Sequence, residues 1–114
     1  MTRSSGILLP VSALPSPCGI GDLGTAAREF IGFLAAAGQH YWQILPLNPP
    51  DSAHSPYLSA STFAGSTDLL SPEPFMARGA LTADEVRSVD WGGDPMRVDY
   101  GRVHAGKTAL WDAA

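Results

Sequence analysis

Two stretches of this chain carry glycines at spacings that proteins use to hold phosphate. Gly101, Gly106, Lys107 and Thr108 fit G-x-x-x-x-G-K-[ST], in which backbone amides cradle phosphates and the lysine reaches the terminal ones. Gly19, Gly21 and Gly24 fit G-x-G-x-x-G, whose glycines let backbone approach a pyrophosphate at a helix N-terminus. Neither match has its full context. The first needs an apolar strand before it, where Arg97-Val98-Asp99-Tyr100 stands, and Arg102 and His104 would crowd the loop. It reads better as a helix start with an exposed Lys107, and an incomplete P-loop nucleotide-binding protein stays open as a rival class. The second needs a tight turn directly after a strand, but Pro15 to Cys18 intervene. Ile44 and Leu45, about 20 residues on, stand where an acidic residue should hold the ribose. Its glycines read as a turn that needs positive φ.

Other chemistries find less. His40, His54 and His104 are far apart and Cys18 is alone, so no metal spacing exists. No G-x-S-x-G elbow presents a nucleophilic serine. Acid/base work on sugars needs two converging carboxylates. Of the acidic residues, Asp22, Asp51 and Asp99 fall in loops, and none has a context that suggests a shifted pKa. They read as solvated or capping groups, and no catalytic residue is assigned.

The elements that would position these groups follow from periodicity. Residues 6–14 read as a strand, with Pro10 tolerated at an edge or bulge. Residues 15–24 form a Pro/Gly loop. From Thr25 to Ala37, Ala27, Phe30, Ile31, Leu34 and Ala37 keep helical spacing, with Thr25 as cap and Gly38 as terminator. A second strand runs from His40 to Leu47. Strand, helix and strand make a right-handed βαβ unit with parallel strands. A long loop rich in Pro, Ser and Ala follows, carrying Tyr57 in a Ser55-Pro56-Tyr57 turn. Such loops at the carboxyl ends of parallel strands are where α/β proteins bind small molecules.

Beyond that loop, Pro72 and Pro74 predict extended chain. Thr82 and Glu85 spell a capping box for a short helix over 82–89, with Leu81 and Val86 at the staple positions. Residues 90–101 read as irregular, and a last helix starts near Val103. Two parallel strands cannot be covered on both faces alone, and Trp91, Tyr100 and Trp111 have no evident sheet to pack on. The expected fold class is therefore α/β: the N-terminal portion of a larger barrel of ~250 residues or more.

Composition bounds the partners. Of 114 residues, 45% are hydrophobic, enough for a core, while 12 Gly and 10 Pro make the chain rich in loops. The net charge of −4, with basic residues scattered singly, argues against nucleic acid. No run approaches the ~20 apolar residues of a membrane span. Arg3, Ile7-Leu8-Leu9 and Cys18 loosely suggest a lipoprotein signal. Pro10 and Pro15 break its apolar run, and Pro17 precedes the cysteine where a small residue belongs. One cysteine fits a reducing compartment, and a cytoplasmic location is expected.

Several words of the chain together resemble one family. Ser5-Gly6-Ile7-Leu8-Leu9, Leu14-Pro15-Ser16-Pro17 and Gly19-Ile20-Gly21-Asp22-Leu23-Gly24 are similar to the opening of the 4-alpha-glucanotransferases. These are the amylomaltases and disproportionating enzymes of glycoside hydrolase family seventy-seven. The likeness continues through Phe33-Leu34-Ala35-Ala36-Ala37-Gly38-Gln39, Tyr41-Trp42-Gln43-Ile44-Leu45-Pro46-Leu47, Ser55-Pro56-Tyr57 and Phe63-Ala64-Gly65. It returns at Val98-Asp99-Tyr100 with Lys107.

The resemblance implies a (β/α)₈ barrel several times this length, of which residues 1–114 form the N-terminal part. It implies transfer of a segment of an α-1,4-glucan to a new 4-position on a maltodextrin, maltose or glucose acceptor. The mechanism is retaining, with a carboxylate nucleophile and a second carboxyl as acid/base. Those carboxylates lie downstream of this region, so the chain alone is expected to be inactive. No cofactor or metal is implied. Ser55 and Tyr57 match residues that line the donor side of the glucan cleft. Tyr100 matches a tyrosine of a secondary glucan site in some members, whose partner aromatic falls near Ser52 here. His54 stands where the family usually has aspartate, Ser66 where it often has asparagine, and Asn48-Pro49-Pro50 departs from the usual turn. A non-catalytic glucan-binding domain is the alternative.

Overall fold

The structure, a computed structural model, describes residues 2–114. Its first unit is the expected βαβ. Strand β1 (Gly6–Leu8) and strand β2 (Tyr41–Gln43) pair in parallel, with Ile7 opposite Trp42, across helix α1 (Thr25–Ala36). Bonds from Leu9 N to the Gln43 carbonyl and from His40 N to the Ser5 carbonyl, both 3.0 Å, extend the ladder at each end.

Both strands are shorter than the sequence suggests, and proline is the reason. Pro10 has no N–H to donate and its fixed φ suits a turn, so the chain leaves the sheet into a single 3₁₀ turn at Val11–Ala13. Strand β2 ends at Gln43 because β1 has turned away at Pro10, and the Leu9 carbonyl accepts from Trp42 Nε1 at 2.8 Å instead of from the next backbone amide. The side chains of Ile7, Leu8 and Tyr41 on this two-stranded sheet are exposed.

Helix α1 buries Ala27 and Leu34 and leaves Ile31 and Phe33 exposed. Thr25 is not its cap. Gly24 holds that position, and Thr25 is the first helical residue. The Thr25 amide and hydroxyl both donate to Glu73 Oε2, at 2.9 and 2.8 Å, so a carboxylate from another element satisfies the open end. Gly38 ends the helix at φ 72, as its type requires.

Pro72 and Pro74 do not keep the chain extended. Pro72 is in the helical region at φ −67 and ψ −19, and helix α2 (Glu73–Ala77) starts there. Proline's fixed φ is ready for a first turn, where its missing N–H would be unpaired anyway. Helix α3 (Ala83–Ser88) has the full capping box. Thr82 Oγ1 accepts from Glu85 N at 3.2 Å, and Glu85 Oε2 accepts from Thr82 N at 2.7 Å. Leu81 and Val86 are both buried.

Helix α4 (Tyr100–Ala113) starts three residues before Val103, because Asp99 caps it by accepting from Arg102 N at 3.1 Å. The first two residues of α4 thus lie within the 90–101 stretch expected to be irregular.

Two apolar clusters hold these elements. Val11, Leu14 and Ala27 form one between α1 and the turn after β1, joined by Phe30 and Trp42. Cys18, Leu81, Val86 and Leu110 form the other, and Trp91 and Trp111 pack on it. Helices, not a sheet, thus cover both tryptophans.

Candidate functional site

The segment that leaves β2 is ordered by polar cross-links. At its neck Pro50 and Ser59 pair in antiparallel fashion, Asp51 N donates to the Leu58 carbonyl at 2.9 Å, and Ser59 Oγ donates to the Pro49 carbonyl at 2.7 Å. Two turns make the tip. His54 N reaches the Asp51 carbonyl at 2.9 Å, and Leu58 N reaches the Ser55 carbonyl at 3.2 Å. Asp51 Oδ1 accepts from Ala53 N, and Ser55 Oγ from Tyr57 N. Short polar side chains that bond backbone two residues on are the means by which such turns form.

Asn48 closes the base. Its Nδ2 lies 3.1, 2.8 and 3.0 Å from the carbonyls of Ser61, Thr62 and Ala64, so two hydrogens serve three acceptors. Ser66 N returns to the Leu47 carbonyl at 2.7 Å. The sequence marks Asn48 only as a departure from the family's turn. Its reach across sixteen residues has no local signal.

Within this frame Tyr57 is 70% exposed, with its ring free for a flat ligand, while Ser55 is half-buried. Tyr100 is carried to the same loop by the first turn of α4. Its ring stacks on that of His54, with centroids 4.3 Å apart and planes 8° from parallel. Tyr100 thus has an aromatic neighbour in His54, while Ser52 on the same loop offers no ring. A cleft of about 280 Å³ is lined by this stack, Asn48, Pro56, Asp68 and Ile20. Ser55 and Tyr57 do not line it. Asp68 lies 3.1 Å from His104 Nδ1, one turn beyond Tyr100 on α4.

The groups that could do chemistry are otherwise employed. Asp51 and Asp99 hold turns and a helix end, as expected. Asp22 does not fit the expectation of a solvated carboxylate. It is buried, and burial raises its pKa against the opposing pull of the Lys107 ammonium. Lys107, expected to be exposed, is fully buried. Its Nζ lies 3.5 Å from Asp22 Oδ2, donates to the Leu70 carbonyl, and sits 5.7 Å from the Trp111 ring centroid. One side chain thus fastens α4 to the loop after β1 and to the entry of α2. The two partners are 85 residues apart, and nothing in the sequence pairs them.

Both phosphate motifs dissolve in this geometry. Gly101 to Thr108 are helical, so they form no loop to cradle a phosphate, and a Cβ on Gly106 would strike Val89 Cγ1 at 2.4 Å. The P-loop reading is overturned. Gly19 has φ 73 and serves a turn. A Cβ on Gly21 would lie 2.1 Å from the Val11 carbonyl oxygen, and one on Gly24 would lie 2.5 Å from Ser71 Oγ. These two glycines permit close packing within the protein, which leaves no space for a pyrophosphate. Among the described residues no group of three or more His, Cys, Asp or Glu side chains could hold a metal ion. No helix among them is long and apolar enough to cross a membrane.

Comparison with known proteins agrees with the words read in the sequence. The 4-alpha-glucanotransferase family model matches residues 9–114. A 4-alpha-glucanotransferase of Streptococcus pneumoniae is 39% identical over 112 residues, which is 98% of this chain and 22% of that protein. One from Thermus thermophilus is 45% identical over 107 residues, 94% of this chain and 20% of that protein. The structure of amylomaltase from Streptococcus agalactiae in complex with acarbose superposes with a TM-score of 0.94 at 34% identity, covering 98% of this chain and 23% of that one. The chain thus spans about a fifth of the length of the relatives it matches, and it belongs to the 4-alpha-glucanotransferase family.

Proposed function

We propose that residues 1–114 are the N-terminal portion of a (β/α)₈-barrel 4-alpha-glucanotransferase, and that the loop over 48–66 forms part of its donor-side glucan surface. The observation that carries this reading is the exposed Tyr57 ring on a loop braced by Asn48, directly after a parallel strand. A tyrosine ring offers an apolar face to the C–H face of a pyranose, and its hydroxyl can bond the sugar's polar rim. Ser55 supplies a second hydroxyl beside it. A further glucan contact at Tyr100 would use the ring face opposite His54.

The substrates are α-1,4-glucans, with maltodextrin as donor and maltodextrin, maltose or glucose as acceptor. The role of this part of the chain is to bind and orient. The retaining chemistry needs a nucleophilic carboxylate and an acid/base carboxyl, which the family carries beyond this region. No cofactor, nucleic acid or membrane is required. The single buried Cys18 fits a reducing, cytoplasmic setting.

The test is a chimera in which this chain replaces the matching segment of the Streptococcus agalactiae amylomaltase. With maltotriose it is expected to yield glucose and longer maltodextrins, and Tyr57→Ala should lower that rate about tenfold. A folded chimera that releases no glucose, or one indifferent to Tyr57→Ala, contradicts the reading. The 114-residue chain by itself is expected to release none.

A further inference from the structure

Among the described residues, His54 alone of those other than glycine has a left-handed backbone, at φ 57. A side chain makes that conformation unfavourable, and it persists where surrounding contacts compensate. The compensating contact here is the parallel stack of the imidazole on Tyr100. We propose that His54 is a positioning residue. Its ring, docked on Tyr100, fixes the tip of the loop to α4 and so sets the placement of Ser55 and Tyr57. The proposal rests on the reading of this loop as a glucan surface.

Three observations support it. First, every hydrogen bond described for residues 51–58 ends within the loop itself, so these bonds shape the tip without attaching it to the rest of the fold. Second, Tyr57 and Leu58 project into solvent, so the tip is not anchored by burial on that side. Third, the far side of the stack belongs to a braced helix. Tyr100 begins α4 beside the Asp99 cap, and the buried Lys107 fastens that helix two turns further on. His54 directly precedes Ser55-Pro56-Tyr57. Any freedom it gains passes into those residues.

The stack and the backbone can be separated by substitution. His54→Gly keeps the left-handed backbone and removes the ring, while His54→Phe keeps a ring. Tyr100→Ala removes the other half, and Tyr100→Phe keeps it. In the isotope-labelled chain, ring protons of His54 are expected upfield of their position in Tyr100→Ala. Amide exchange over 51–58 should quicken about tenfold in His54→Gly and Tyr100→Ala. It should stay near the native rate in His54→Phe and Tyr100→Phe, with α4 unchanged throughout. Maltoheptaose should bind about tenfold more weakly to His54→Gly at an unchanged Tm, with recovery in His54→Phe.

Equal exchange over 51–58 in His54→Gly and the native chain overturns the proposal. So does failure of His54→Phe to restore slow exchange, or equal maltoheptaose affinity in His54→Gly. If the exchange pattern holds but maltoheptaose binds no form, the latch stands and the glucan reading of the loop falls.

Discussion

The loop over 48–66 and the helical segment over 71–113 are held by opposite means. The loop is cross-linked by short polar side chains, and Tyr57, Leu58 and Phe63 point outward. The helical segment packs Leu81, Val86 and Leu110 inward with Cys18, and its one fully buried cation is paired. Hydrogen bonds are directional and fix a backbone path without consuming apolar surface. Burial stabilises more, but it leaves no side chain free to meet a ligand. The difference suits the recognition role proposed for the loop and a supporting role for the helices.

The largest test of that division is Lys107→Ala. It leaves the Asp22 carboxylate buried without its cation, a change that costs about 3–5 kcal/mol. Urea unfolding of the whole chain should show it. The double change Asp22→Asn with Lys107→Met removes both charges at similar volume and should restore much of the loss. If Lys107→Ala unfolds like the native chain, the helices are not held by this pair.

Asn48→Ala should act within the loop. It removes donors to three carbonyls that water can reach, so a loss of about 1 kcal/mol is expected. Faster amide exchange near Ser61 to Ser66, with little change in α3, would sharpen the comparison. A global fall in stability would break it. Thr82→Ala removes a cap whose typical worth is about 1 kcal/mol. It should lower helix stability without altering exchange in the loop.

The smallest effect is a pH dependence with opposing parts. Bonds from Thr82 hold the Glu85 carboxyl below its usual 4.5, so Glu85 contributes stability above that value. This contribution fades as pH falls through the lowered folded pKa, and Glu85→Gln should flatten the acid arm there. Asp22 has the reverse sign. Burial raises its folded pKa above 3.8, so the folded state holds that proton more tightly than the unfolded chain. Its contribution is fully present below 3.8 and declines as pH rises through the raised value. Lys107→Ala removes the opposing charge and should steepen that decline.

What could be read in the sequence was local or periodic. The βαβ order, the Thr82–Glu85 box and the end of α1 at Gly38 each depend on neighbours a few residues apart. Element ends were harder. Pro10 shortened β1, and Pro72 began a helix where extension was expected, because proline's fixed φ serves a strand exit or a first helical turn equally well. The family words located the loop and named Ser55, Tyr57 and Tyr100. The long-range contacts were not legible. Nothing near Asp22 announces Lys107, Glu73 caps a helix 48 residues earlier, and His54 shows only as a departure from aspartate. Contacts between distant residues depend on the finished fold, so they left no pattern to read.

The loop after β2 is proposed to be a glucan surface. Titrating the isotope-labelled chain with maltoheptaose and following every amide tests it directly. Shifts are expected to concentrate on residues 51–66 and around Tyr100, strongest near Tyr57, while α3 stays still. Shifts centred on the helical segment, or none at saturating sugar, would contradict it.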